Sequence, residues 1–138
     1  MAGQPRSTAM AEQKVTGWSL PRDEQARLLE LVPARFANLV ADHVTLQTGT
    51  GPDTPLPEET SGVVIGEIDD GEGVQALIVE IGGSTSRADG GTYHITWSLG
   101  DGRQARESND VIAAFAWQPL SSPVAIRLAP ARWPRAGQ

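Results

Sequence analysis

Val63-Val64-Ile65-Gly66-Glu67-Ile68, then Asp69-Asp70-Gly71-Glu72-Gly73, then Val74-Gln75-Ala76-Leu77-Ile78-Val79-Glu80-Ile81, is the stretch that decides the fold. Two β-rich apolar runs flank a segment of turn residues, the signature of a hairpin and so of antiparallel pairing. Downstream, residues 82–91 are a polar, glycine-containing loop. Thr92-Tyr93-His94-Ile95-Thr96-Trp97-Ser98-Leu99 then alternates polar and apolar residues as a strand does, and Asp101-Gly102 turns the chain. Upstream, the same alternation predicts a strand over about 42–48, led into by 36–40 and followed by a proline-containing loop over 49–62.

Helical signals lie outside these strands. Ser19-Leu20-Pro21 followed by Asp23 and Glu24 predicts a helix start, with Ser19 or Leu20 at the cap and acids where the helix dipole favours them. That helix is expected to run to Val32, to bury Leu28, Leu29, Leu31 and Val32, and to end before Pro33. A second, short helix is expected from Ser108-Asn109-Asp110 to about Trp117, capped by Ser108 or Asn109, with a last strand over 124–128. The predicted organisation is a flexible tail over 1–15, one domain over 16–130 and an unordered tail over 131–138. The predicted class is α+β: a bilobal, mostly antiparallel sheet with a central cleft and two main helices.

Composition bounds the function. The 138 residues suit one domain, 39% apolar and 20% charged, with no apolar run long enough to span a membrane. The polar, alanine-containing start lacks the apolar core of a secretory signal, so a cytoplasmic location is expected. With no cysteine, disulfides, thiolate nucleophiles and Cys-based zinc sites are excluded, and two histidines alone make a poor metal site. No metal or other cofactor is expected. The net charge of −6 disfavours a grip on long duplex nucleic acid and fits a small or end-recognised substrate.

The chain's two histidines sit in one repeated pattern, His43-Val44-Thr45-Leu46 and His94-Ile95-Thr96-Trp97. In a strand, residues i and i+2 share a face, so each motif pairs an imidazole with a hydroxyl while the apolar partners face the core. Two such strands side by side suit phosphoryl chemistry. With an ordinary pKa of ~6.5, one imidazole can be the base and the other the acid, and Thr hydroxyls can hold the phosphoryl oxygens as charge develops. Gln47 and Ser98 continue the two polar faces and are candidate substrate contacts. Arg87 is a third, a loop cation able to bind a second phosphate or a base. Tyr93 and Trp97 fall on the opposite face and are assigned to the core. Arg103 and Arg106, on loops flanking the same motif, are read either as further contacts for a phosphate or a base or as simply solvated, and the Gly82-Gly83 and Gly90-Gly91 pairs as loop hinges without phosphate-loop spacing.

The paired motifs resemble those of the two-histidine phosphoesterase superfamily, whose members carry two H-x-T-x motifs on strands flanking a cleft. The likeness is strongest over 38–46 and 92–112 and is nearest to compact members associated with RNA repair. It implies metal-independent opening of a nucleoside or RNA-terminal 2′,3′-cyclic phosphate. His94 would activate water, His43 would protonate the departing ribose oxygen, and Thr45 and Thr96 would hold the phosphoryl oxygens. In-line geometry decides which ring faces the leaving group, and the residues alone leave the reverse assignment open. Two other readings are a phosphodiesterase for cyclic di- or oligonucleotide signals, and a non-catalytic module that binds nucleotides or RNA ends.

Overall fold

The hairpin that opens the sequence reading is built as predicted, from β4 (Ser61–Asp69) and β5 (Val74–Glu80) in the computed structural model, which describes residues 14–134. Its turn is held by side chains. Asp69 accepts from the Gly71 N–H at 2.8 Å, Asp70 accepts from the N–H groups of Glu72 and Val74, and Gly71 and Gly73 take the positive φ that closes it. In chain order the other elements are β1 (Lys14–Ser19), α1 (Arg22–Leu31), β2 (Asn38–Leu39), β3 (His43–Thr50), β6 (His94–Leu99), α2 (Glu107–Ala114), β7 (Gln118–Arg127) and β8 (Ala129–Pro134).

The strands form one open sheet in the order β7-β4-β5-β6-β3-β1-β8, with β2 paired to β6. Every named strand pair is antiparallel, and the fold is α+β. Alternation along β5 and β6 divides the core. Leu77, Val79, Ile95 and Trp97 pack with Leu28 and Val32 at α1, whereas Ala76 packs with Val111 of α2, so the helices cover opposite faces. Trp97 is fully buried and donates its indole N–H to the Val32 carbonyl, and Tyr93 meets Trp18 edge to face.

The sheet has a weak seam. β3 joins β6 through a single ladder pair, Val44↔Ile95, while β1–β3 and β5–β6 are continuous over several residues. β2 and β3 are two parts of one strand path that breaks at Ala41, whose φ of 45° is positive. The N–H groups of Val40 and Ala41 still bond to Trp97 and Thr96, but the ladder has shifted by the time it reaches Val44. The expected two lobes are not separate: one sheet and one α1-side core run across the interruption, from Trp18 and Val44 to Leu77, Ile95 and Ile126.

Several boundaries differ from expectation. Lys14 and Val15 belong to β1 rather than to a tail, while 1–13 lie outside the described residues. β8 carries Ala131 to Pro134, so the domain runs past 130; only 135–138 of the predicted tail lie outside the described residues. The last predicted strand is part of a longer β7 that contains Pro119 and Pro123. Both β7 and β8 are edge strands, where proline's missing N–H is tolerated. α1 starts after Pro21 and leaves Leu31 57% exposed, and α2 ends at Ala114. Neither helix has a side-chain cap: Ser108 is fully buried and points elsewhere. No helix among the described residues is long and apolar enough to cross a membrane.

Candidate functional site

The seam positions the four motif residues. Val44 and Ile95 face each other and are fully buried in the α1-side core, so their neighbours point to the other face of the sheet: His43 and Thr45 from β3, His94 and Thr96 from β6. The antiparallel register carries Thr45 toward His94 and His43 toward Thr96. Gly17 of β1 pairs with Thr45, and a Cβ there would lie 2.2 Å from the Val44 carbonyl oxygen. Only glycine lets β1 lie so close and hold β3 against the seam.

His94 is 8% exposed, and its Nδ1–H donates to the Thr92 carbonyl at 2.7 Å. Burial pushes its pKa down to about 4; the nearby Arg87 and His43 act in the same direction, and the Thr92 bond and Asp89 oppose it only in part. Near neutral pH this ring is therefore an uncharged imidazole. With Nδ1 carrying the hydrogen, Nε2 presents a lone pair.

His43 sits in a different setting. It is half-buried, with Nδ1 3.1 Å from the Asp42 carboxylate, which can only accept, so Nδ1 carries the hydrogen here too. Trp133 of β8 lies against it, ring centroids 4.7 Å apart at 52°. A carboxylate and an aromatic ring are both partners for an imidazolium, so a proton gained at Nε2 would meet a counter-charge. The Trp133 indole N–H is buried and makes no hydrogen bond among the described residues.

Thr96 is buried with its hydroxyl 2.9 Å from that of Ser108 and 3.3 Å from the Ala105 carbonyl, so α2 already engages the group predicted to hold a phosphoryl oxygen. Ser98 departs from its predicted role as a substrate contact. Fully buried, it donates to Gln75 at 2.6 Å and accepts from the Phe36 N–H, which ties the chain after α1 to the sheet. Gln47 also leaves its predicted face: the β1–β3 register shifts between Gly17 and Thr16, so Gln47, exposed, pairs with Thr16 on the face opposite Thr45. Arg103 is structural, clamped between Asp70 and Glu107.

Arg87 is brought to His94. Together with Asp89, Gly90, Gly91, Thr92, Asn109, Ile112 and Ala113 the two residues line a cavity of about 350 Å³. The sequence reading missed Asp42, Trp133 and Asn109. Asp42 had a usable signal, an acid directly before a strand histidine. Trp133 had none, because it reaches His43 only through the pairing of β8 with β1. Asn109 was read as a helix cap and instead accepts from Arg87 at 3.1 Å.

No group of three His, Cys, Asp or Glu side chains suited to a metal ion occurs among the described residues. The chain matches no protein-family model, no curated protein and no solved structure.

Proposed function

We propose that the chain is a metal-independent phosphodiesterase, acting in the cytoplasm, that hydrolyses a nucleoside or RNA-terminal 2′,3′-cyclic phosphate by two-histidine acid/base catalysis. The observation that carries this reading is the unequal pair on one face of the seam: an uncharged His94 with Nδ1 tied to a carbonyl, and a His43 braced by a carboxylate and an indole. His94 Nε2 takes a proton from the attacking water. His43 Nε2 returns a proton to the departing ribose oxygen, and Asp42 balances the charge it carries beforehand. Thr45 donates to a phosphoryl oxygen as phosphorus becomes five-coordinate. Thr96 reaches the phosphoryl group by rotating its hydroxyl away from the Ala105 carbonyl while Ser108 holds the side chain.

The cavity beside His94, about 350 Å³ and lined by neither His43, Thr45 nor Thr96, has room for one small group next to the phosphate, which favours a mononucleotide or a chain end over a cyclic dinucleotide. The test is hydrolysis of a 2′,3′-cyclic mononucleotide in excess EDTA by wild type, His43→Ala and His94→Ala, with the 2′- and 3′-phosphate products resolved. Each substitution is expected to lower kcat by at least about 100-fold. A wild type inert on cyclic mononucleotides and on RNA ends, or an alanine variant with full activity, overturns the proposal.

A further inference from the structure

The loop over 82–93 is built around one arginine. It folds back through the Ile81↔Ser84 and Ser86↔Thr92 bridges and a tight turn in which the Arg87 N–H donates to the Gly91 carbonyl and the Gly90 N–H to that of Arg87. Within this frame the Arg87 side chain is only 9% exposed. Its Nε donates to Asp89 at 2.8 Å, Asp89 also accepts from the Gly91 N–H, and one terminal nitrogen donates to Asn109 on α2. Gly91 leaves room for the guanidinium, since a Cβ there would lie 2.6 Å from that nitrogen and displace it. A guanidinium held by Asp89 on one side and Asn109 on another, with donors left over, is organised before any ligand arrives.

The chemistry of the cavity selects the ligand. Asp89 balances the charge of Arg87, so the site has little net attraction for a second phosphate. On the helix side the lining is Ile112 and Ala113 with the Asn109 amide beside them, and on the loop side it is the Arg87 guanidinium with Asp89, Gly90, Gly91 and Thr92. Planar faces, unused N–H donors and an apolar wall suit an uncharged planar heterocycle. His94, the imidazole that would activate water, is part of the same lining, and a base in the cavity would be joined to the phosphate through one sugar.

We propose that the cavity between the 82–93 loop and α2 is a nucleobase subsite, in which Arg87 and Asn109 hold the base against Ile112 and Ala113. This rests on the phosphodiesterase reading for its link to turnover, but binding can be measured without it.

The test compares kcat/KM for 2′,3′-cyclic nucleotides with that for glycerol 1,2-cyclic phosphate, which has the same reacting group and no base. Wild type is expected to prefer the nucleotide by at least about tenfold, mainly through KM. Ala113→Phe, a filling substitution at an exposed helix position, should reduce that preference toward unity, and Asn109→Leu, which releases Arg87, should weaken it. Equal kcat/KM for the two wild-type substrates, or a preference unchanged in both variants, overturns the subsite. If wild type cleaves neither, the catalytic proposal fails by itself, and backbone NMR with adenosine 3′-monophosphate decides the cavity. Shifts at Ile112 and Ala113 that inorganic phosphate does not produce support it, and none overturns it.

Discussion

One four-residue pattern occurs twice in this chain and meets two different environments. β6 is an interior strand, buried along its whole length and paired with β5 from end to end except at Trp97, where the register shifts. β3 lies in the same sheet but pairs with β6 at one position and is held mainly by β1, with β8 beyond it. His94 accordingly loses solvent, bonds to a carbonyl and stays uncharged, whereas His43 keeps partial exposure and acquires Asp42 and Trp133. The motif supplies the reacting groups, and tertiary position assigns them different work.

Substitutions at four positions break or sharpen this contrast. The largest effect is expected at Gly17→Ala, which drives a methyl into the β3 backbone and should cost about 3 kcal/mol or more. Urea unfolding would measure that, and surviving protein should lose activity through the displacement of β3 and His43. Next comes the proton linkage of His94. Its ordinary pKa of 6.5 in the unfolded chain falls to about 4 in the fold, so between those values the unfolded chain binds the extra proton. This contribution to stability is complete above pH 6.5 and is lost as the pH falls through about 4, a difference of about 3 kcal/mol. Comparing urea midpoints at pH 7 and 4.5, His94→Gln should show a smaller drop than wild type.

Trp133→Leu removes the ring that orients His43 and should lower kcat about tenfold with little change in KM, while Trp133→Phe restores much of it. A loss confined to stability would make the contact merely structural. The smallest effect is expected at Ser108→Ala, which leaves Thr96 the Ala105 carbonyl and should cost about 1 kcal/mol of stability, read by thermal unfolding.

Local chemistry is what the sequence makes legible. Asp69-Asp70-Gly71 writes its own turn, the alternation at 94–99 writes its own strand, and proline at 21 and 33 brackets α1. The paired histidines were visible for the same reason, since the period of two places His and Thr on one face whatever surrounds them. What stayed hidden depends on partners far along the chain. β8 exists because β1 offers it an edge, and its two prolines concealed it. Ser98 breaks the alternation: the β5–β6 register shifts between Thr96 and Ser98, so Ser98 pairs with Gln75 on the face that the chain after α1 covers, away from Thr96, and is structural. The unequal settings of the two imidazoles arise from burial on one side of a seam that a single residue pair defines.

The central claim is that two unequal histidines act on one phosphate, and the pH dependence of kcat/KM for a 2′,3′-cyclic nucleotide in excess EDTA tests it most directly. The account predicts turnover whose acid limb falls near pH 4, set by His94, and its loss in His43→Ala and His94→Ala alike. An acid limb near 6.5, or turnover that persists without either imidazole, would contradict it.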